Sequence, residues 1–295
     1  MKKLFLFFSL LILTIAFGQD NNFKKFKEFY QNGDMIAIEK LLKDWEKNPN
    51  AEFFVSSVNY YFNKSRKEVV SLDQNLPKTE GFELKDDNGK TVAYLSSKNH
   101  YDANLLQKTF KYFDEGISKF PNRLDIRFGK IYILGQLEDY ENFSNEIVKT
   151  IQYSSQNNNQ WLWSEDANYD GGEKEFLLSI QDYNNQIYDT NNDSLLKYMK
   201  QINEEVLKYY PNHVESLSNL AIVSLISKNY DEALFYLLKA EKLAPEDYIV
   251  LNNLAFAYKL KNDKTNAIKY YQLVKKFGDD RAKSQAENEL KKLQQ

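Results

Sequence analysis

Two prolines, Pro211 and Pro245, stand 34 residues apart near the C-terminus, and the segment between them carries the apolar spacing of two helices. The following segment repeats that pattern. Leu217, Leu220 and Ala221 recur as Leu251, Leu254 and Ala255, and Ala233 recurs as Ala267. A fixed period of this length means that one two-helix unit is used again, and such a unit cannot bury its apolar face alone. Neighbouring units must stack to build a continuous core. The period therefore limits the chain to a one-dimensional stack of helix pairs.

The two units run from Val214 to Asp247 and from Tyr248 to Arg281. With Ala240 and Pro245 in the first and Tyr258 in the second, they resemble tetratricopeptide repeats. They also depart from that pattern. Ser224 takes the place of an aromatic, neither unit has the tryptophan or the glycine, Val274 stands for the second small residue, and Asp279 for a third proline. The resemblance implies an all-α fold, a right-handed α-solenoid of helix pairs whose first helices line a concave groove. By position, that groove takes Glu215, Ser218, Asn219, Ile222 and Leu225 from one unit. From the next it takes Ile249, Asn252, Asn253, Phe256 and Lys259. Asn219 and Asn253 fill the slot where family members often hydrogen-bond a ligand's backbone. The resemblance thus makes Asn219, Ile222, Asn252, Asn253 and Phe256 the candidate partner-binding residues.

The rest of the chain suits the same architecture. Glycine (10 of 295) and proline (5) are too sparse for a sandwich or barrel of many tight turns, and Tyr (21) and Phe (20) supply area for stacked helical layers. Apolar residues at helical spacing predict helices over 21–31, 51–64, 101–120, 124–134, 138–153, 173–189 and 193–210, and another ending before Pro49. Pro49, Pro121, Pro211 and Pro245 all fall where the second helix of a pair would stop. The period breaks once. Phe82 to Lys85 and Thr91 to Tyr94 alternate, and Asn88-Gly89 between them is a strong hairpin signal. Residues 65–100 are read as an insertion holding a small β-hairpin, which must pack against helices because a lone hairpin is marginal in water. The expected division is degenerate helical repeats over 19–211 with this insertion, two clear units over 212–281, and a capping helix over 282–295.

Residues 1–18 read as a secretory signal peptide. Lys2 and Lys3 precede an apolar run from Leu4 to Phe17, and Ala16 and Gly18 are small residues at the spacing a signal peptidase reads. The run is short of the roughly 20 residues that cross a bilayer as a helix. Cleavage near Gly18 predicts a periplasmic or secreted protein with no membrane span. The chain has no cysteine, so disulfides and thiol chemistry are excluded. Its formal charge is −3, and −5 without Lys2 and Lys3, which leaves no electrostatic footprint for nucleic acid.

No His-Glu-x-x-His, Gly-x-Ser-x-Gly or phosphate-binding loop occurs, and no cofactor is implied. The two histidines, His100 and His213, each precede a predicted helix, where a cap is needed. Asp166-Ala167-Asn168-Tyr169-Asp170-Gly171 matches the first half of a calcium loop, which makes Asp166, Asn168 and Asp170 a weak metal candidate. Position 12 is Leu177, so the bidentate ligand is missing, and a polar helix-capping loop explains the same residues. Trp161 and Trp163 sit in the polar stretch 154–172. They either pin that loop to the scaffold or present a ligand platform. The function read from these features is a non-enzymatic, exported scaffold that binds a protein or peptide partner in its groove. The alternative is an envelope carbohydrate-binding protein using the Trp161/Trp163 loop.

Overall fold

The computed structural model describes residues 21–75 and 81–294. The expected signal segment, 1–18, lies outside the described residues. In chain order the elements are α1 (Asn21–Gln31), α2 (Met35–Trp45), α3 (Ala51–Ser65), β1 (Arg66–Asp73), β2 (Gly81–Lys85), β3 (Thr91–Tyr101), α4 (Ala103–Lys119), α5 (Leu124–Gln136), α6 (Tyr140–Gln156), α7 (Gly172–Tyr188), α8 (Leu196–Tyr209), α9 (Val214–Ile226), α10 (Tyr230–Leu243), α11 (Tyr248–Leu260), α12 (Lys264–Phe277) and α13 (Asp280–Gln294). Among the described residues these form six helix pairs and a final helix, interrupted once by a small sheet. Each of the four prolines follows the end of a second helix, α2, α4, α8 or α10.

One local device recurs inside the pairs. Gly33, Glu138, Lys228 and Asn262 all have left-handed backbone, with φ of +68°, +55°, +61° and +61°. Each ends the first helix of a pair, and the next residue is Asp34, Asp139, Asn229 or Asp263, the N-cap of the second helix. The N–H groups of Ala37, Asn142 and Asn266 donate to the three Asp side chains at 2.9, 3.2 and 3.0 Å. The left-handed residue turns the chain and the acid satisfies an orphan amide of the new helix.

The described residues divide into two compact units, one formed by those up to 126 together with 164–167, the other by 127–163 together with 168–294. In the first, α3 packs on α4 through aromatic rings. Phe53 and Tyr61 lie 5.5 and 5.6 Å from Tyr112, and Trp45 meets Phe53 edge-on. Gly116 allows the closest approach, since a Cβ there would stand 3.0 Å from the Cβ of Phe54. Arg123 is buried beneath these helices. It donates two hydrogen bonds to Asp125, at 2.9 and 2.8 Å, and lies 2.7 Å from Glu52. The Glu165 N–H donates to Glu52 at 2.7 Å, and Arg123 Nη1 donates to Asp166 at 3.2 Å, which holds segment 164–167 in place.

The insertion differs from expectation in two respects. Its hairpin, β2 and β3, is present, and the Asp86 side chain accepts from the N–H groups of Asn88 and Lys90 in the turn. A third strand, β1, joins it in the order β1-β3-β2. Arg66-Lys67-Glu68-Val69-Val70-Ser71-Leu72-Asp73 lacks clean alternation, so it gave no strand signal. Strands β1 and β2 also stay largely exposed, and within the sheet the buried residues are Ala93 and Ser96 of β3, so packing on the helices covers little of it. A third strand supplies the pairing that a lone hairpin would need from elsewhere. At its root Phe62 stacks on Tyr101 and the Asp102 N–H donates to the Ser65 carbonyl. His100 lies in β3 and caps nothing; Asp102 caps α4 by accepting from Asn104 and Leu105.

In the second unit the repeat residues meet as their period requires. Leu217, Ala221, Ala233, Leu237 and Ala240 share one buried cluster with Leu251, Leu254 and Ala255, which Tyr270, Tyr271, Ala286 and Leu290 close. Ala233 and Ala267 are fully buried, one in each second helix.

Candidate functional site

Within the second unit, α11 buries Val250, Leu251, Leu254, Ala255 and Ala257. Helical geometry turns 252, 253, 256 and 259 to the opposite side. α13 buries Ala286 and Leu290 and presents Gln285, Asn288, Glu289 and Lys292. These two polar stripes, with Tyr271, line an open cavity of about 430 Å³. That volume suits a ligand segment of a few residues. Asn252, Asn253 and Phe256, three of the five candidate partner-binding residues, are brought together here. Phe256 is 41% exposed, and the amides beside it can both donate and accept.

The charges at the rim are organised. Lys259 and Lys292 both pair with Glu289, the latter at 2.6 Å. Hydrogen bonds from Lys259 and then Lys292 hold the Glu289 carboxyl below its ordinary value. Burial first, then the charge of Glu289, pushes the Tyr271 hydroxyl up to about 12, so it stays protonated. Two cations against one anion leave the rim with a local positive excess.

The other candidates have different fates. Ile222 is half-buried on α9. Asn219 is 6% exposed, and its amide is already engaged. It donates to Gln181 of α7 at 2.7 Å and to Asn203 of α8 at 3.1 Å, and Asn203 donates to Asn184 of α7 at 2.8 Å. Asn219 is therefore part of a buried amide chain tying α7, α8 and α9 together. Ser218 and Leu225 are buried as well. Of the two equivalent slots, only the one on α11 opens onto the cavity.

The Trp161/Trp163 loop is pinned to the scaffold. Trp161 is 2% exposed, stacks on Phe176 at 5.8 Å and lies beside the Arg127 guanidinium. Trp163 is half-buried between Phe128 and Tyr169. No exposed tryptophan pair forms, which removes the feature behind the carbohydrate alternative. The weak calcium candidates lie in the same loop. The Asp166 carboxylate is a counter-ion of Arg123, and Asn168 is bridged by backbone to Leu162. Among the described residues no group of three or more His, Asp or Glu side chains is placed to hold a metal ion.

One local arrangement imitates a hydrolytic triad. His213 Nδ1 is 2.8 Å from Ser216 Oγ, and its Nε2 is 3.2 Å from Glu215. Ser216 is 1% exposed, so its hydroxyl is out of a substrate's reach. The three residues close the first turn of α9. In the first unit, a second cavity of about 500 Å³ is lined by Glu46, Asn104, Gln107, Lys108, Lys111 and Tyr112. Tyr112 is buried and donates to Glu46 at 2.8 Å, so no aromatic face is offered there.

Sequence reasoning missed the second wall of the α11 cavity. Gln285, Asn288, Glu289 and Lys292 lie on the helix that was expected only as a cap over 282–295. Their spacing, i, i+3, i+4 and i+7, was the available signal for a single polar stripe.

No protein-family model matches the chain, and no curated protein matches it. Solved structures do. YrrB, described as a tetratricopeptide protein with an unusual peptide-binding site, is 12% identical with a TM-score of 0.39 over 63% of this chain and 84% of its own. A tetratricopeptide repeat protein from Parabacteroides merdae is 13% identical with a TM-score of 0.33, over 93% and 98%. PilW, a type IV pilus biogenesis factor, is 11% identical with a TM-score of 0.38, over 89% and 96%. Two of these three are tetratricopeptide proteins by description.

Proposed function

We propose that this protein is a non-enzymatic adaptor that binds an extended segment of a protein partner in the cavity between α11 and α13. The observation that carries this is the exposure of Phe256 among Asn252, Asn253, Gln285 and Asn288. An accessible aromatic gives area for an apolar side chain of the partner, and anchors of this kind dominate interface energies. The flanking amides suit a peptide backbone whatever its side chains. No exposed nucleophile joins a base at this site. Export to the periplasm or beyond is part of the same proposal and rests on residues 1–18. Among the described residues no helix is long and apolar enough to cross a membrane.

A peptide-display selection tests the site. The purified protein is expected to enrich a family of sequences that share an apolar anchor. The double variant Asn253→Ala/Phe256→Ala, folded by circular dichroism, is expected to enrich none of them. Equal enrichment by both proteins would remove the cavity from the account.

A further inference from the structure

The sheet of the first unit has two edges, and they differ. β2 is five residues long, and its ladder slips between Leu84 and Lys85. A strand this short is a poor template for further pairing. β1 runs from Arg66 to Asp73 with no proline, glycine or slip, and among the described residues it pairs on one side only, with β3. Most of its residues are exposed, so its outer row of N–H and C=O groups is accessible. One face of the sheet is apolar too. Val70 and Leu72 are 74% and 65% exposed, Leu72 is opposite Leu95, and Leu95 is opposite Phe82, which is 77% exposed. A soluble protein that leaves both an edge and an apolar face open presents a surface for association.

We propose that β1 pairs antiparallel with β1 of a second copy of this chain, joining the two sheets into one. Charge and parity choose the register. In a continuous sheet, opposed residues point to the same face, so a symmetric pairing must be centred on a residue. Centred on Val70, Lys67 of each copy lies opposite Asp73 of the other, and Val70 meets Val70. Centred on Val69, Lys67 faces Ser71 and gains no charge partner. Centred on Glu68, two glutamates meet, which is unfavourable for directly opposed strands. The β2 edge centred on itself would bring Glu83 against Glu83. Asp73 already accepts from Lys98 at 2.7 Å through one oxygen and from Ser71 at 2.9 Å through the other. A second lysine would share this carboxylate at the seam. In this register Leu72 of each copy stands opposite Glu68 of the other and diagonal to the Val70 pair, so the apolar face is continuous across the seam at Val70. Because the remaining outer edges are the short β2 strands, the assembly closes at two copies and does not grow.

Sedimentation velocity of the purified protein over a wide concentration series tests this. A monomer–dimer equilibrium is expected. Val70→Lys, which puts like charges at the centre of the seam, is expected to leave only monomer. Lys67→Asp and Asp73→Lys are each expected to weaken the dimer by at least about tenfold. Mixed together, these two variants are expected to form a heterodimer, since each supplies the charge the other lacks. Unchanged circular dichroism separates these effects from misfolding. A wild type that is monomeric throughout overturns the proposal. So does a dimer indifferent to Val70→Lys, or a failure of the two charge variants to rescue one another.

Discussion

The helix pairs of α9–α12 and the pair α3/α4 solve one packing problem with different side chains. In α9–α12, Ala233, Ala267, Ala221 and Ala255 are fully buried, and helices approach wherever a small residue removes the obstacle. In α3/α4 the approach is made once, at Gly116 against Phe54, and the rest of the interface is filled by Phe53, Tyr61 and Tyr112. Small-residue contacts need a fixed position in every unit, so they leave a period in the sequence. Rings can fill the same volume from several positions, so the period fades where they take over. The first unit adds a second device, the buried Arg123, held by the neighbouring Asp125 and by Glu52 and Asp166 from distant parts of the chain. The second unit uses neutral amides for the same purpose, Asn184 of α7 and Asn203 of α8 joined to Asn219 of α9.

That contrast can be broken by substitution. Arg123→Met should have the largest effect, because it leaves Glu52 and Asp125 buried without their cation. Removing one partner of a buried ion pair costs about 3–5 kcal/mol, so chemical denaturation should show a loss of that size in the first unit. A loss comparable to a surface change would mean that water reaches the cluster. Ala233→Leu and Ala267→Leu come next. Each forces extra volume into a closed helix–helix contact, at a cost of about 1–3 kcal/mol. Neutral melting of both variants would show that the alanines do not mark the contact that sets the period.

A smaller effect separates the regions by pH. Burial holds the His213 imidazole below its ordinary value, against the pull of Glu215 and Glu173. The unfolded chain therefore takes up the proton more readily than the folded one. Stability from this group is present above the ordinary histidine range, near pH 6.5, and is lost as pH falls through it toward the folded value. The melting temperature should drop on acidification across that window, and His213→Gln should flatten the drop. An unchanged slope in the variant would assign the pH dependence to other groups.

Legibility followed the same division. The helix pairs of α9–α12 were readable from Leu217/Leu251 and Ala233/Ala267, and the β2–β3 turn from Asn88-Gly89, because each is a short-range pattern. β1 was hidden because Arg66, Lys67 and Glu68 give its first half no apolar alternation. The Arg123 cluster was hidden because Glu52, Asp125 and Asp166 are joined only by the fold. Asn219 and Asn253 looked equivalent at their shared slot. They differ because Gln181 and Asn203, from helices well upstream, cover one of them. Half of the candidate site was visible on α11, and the α13 half was not, since a charged helical face most often meets water.

The central claim is that Phe256 is exposed for a partner and is not misplaced core. The direct measurement is the affinity of a display-selected peptide for wild type and for Phe256→Ala, with thermal unfolding of both proteins recorded alongside. A truncated aromatic anchor typically costs 2 kcal/mol or more, so the dissociation constant should rise by at least about tenfold, with the melting temperature nearly unchanged. Unaltered binding, or a variant that melts well below wild type, would contradict the account.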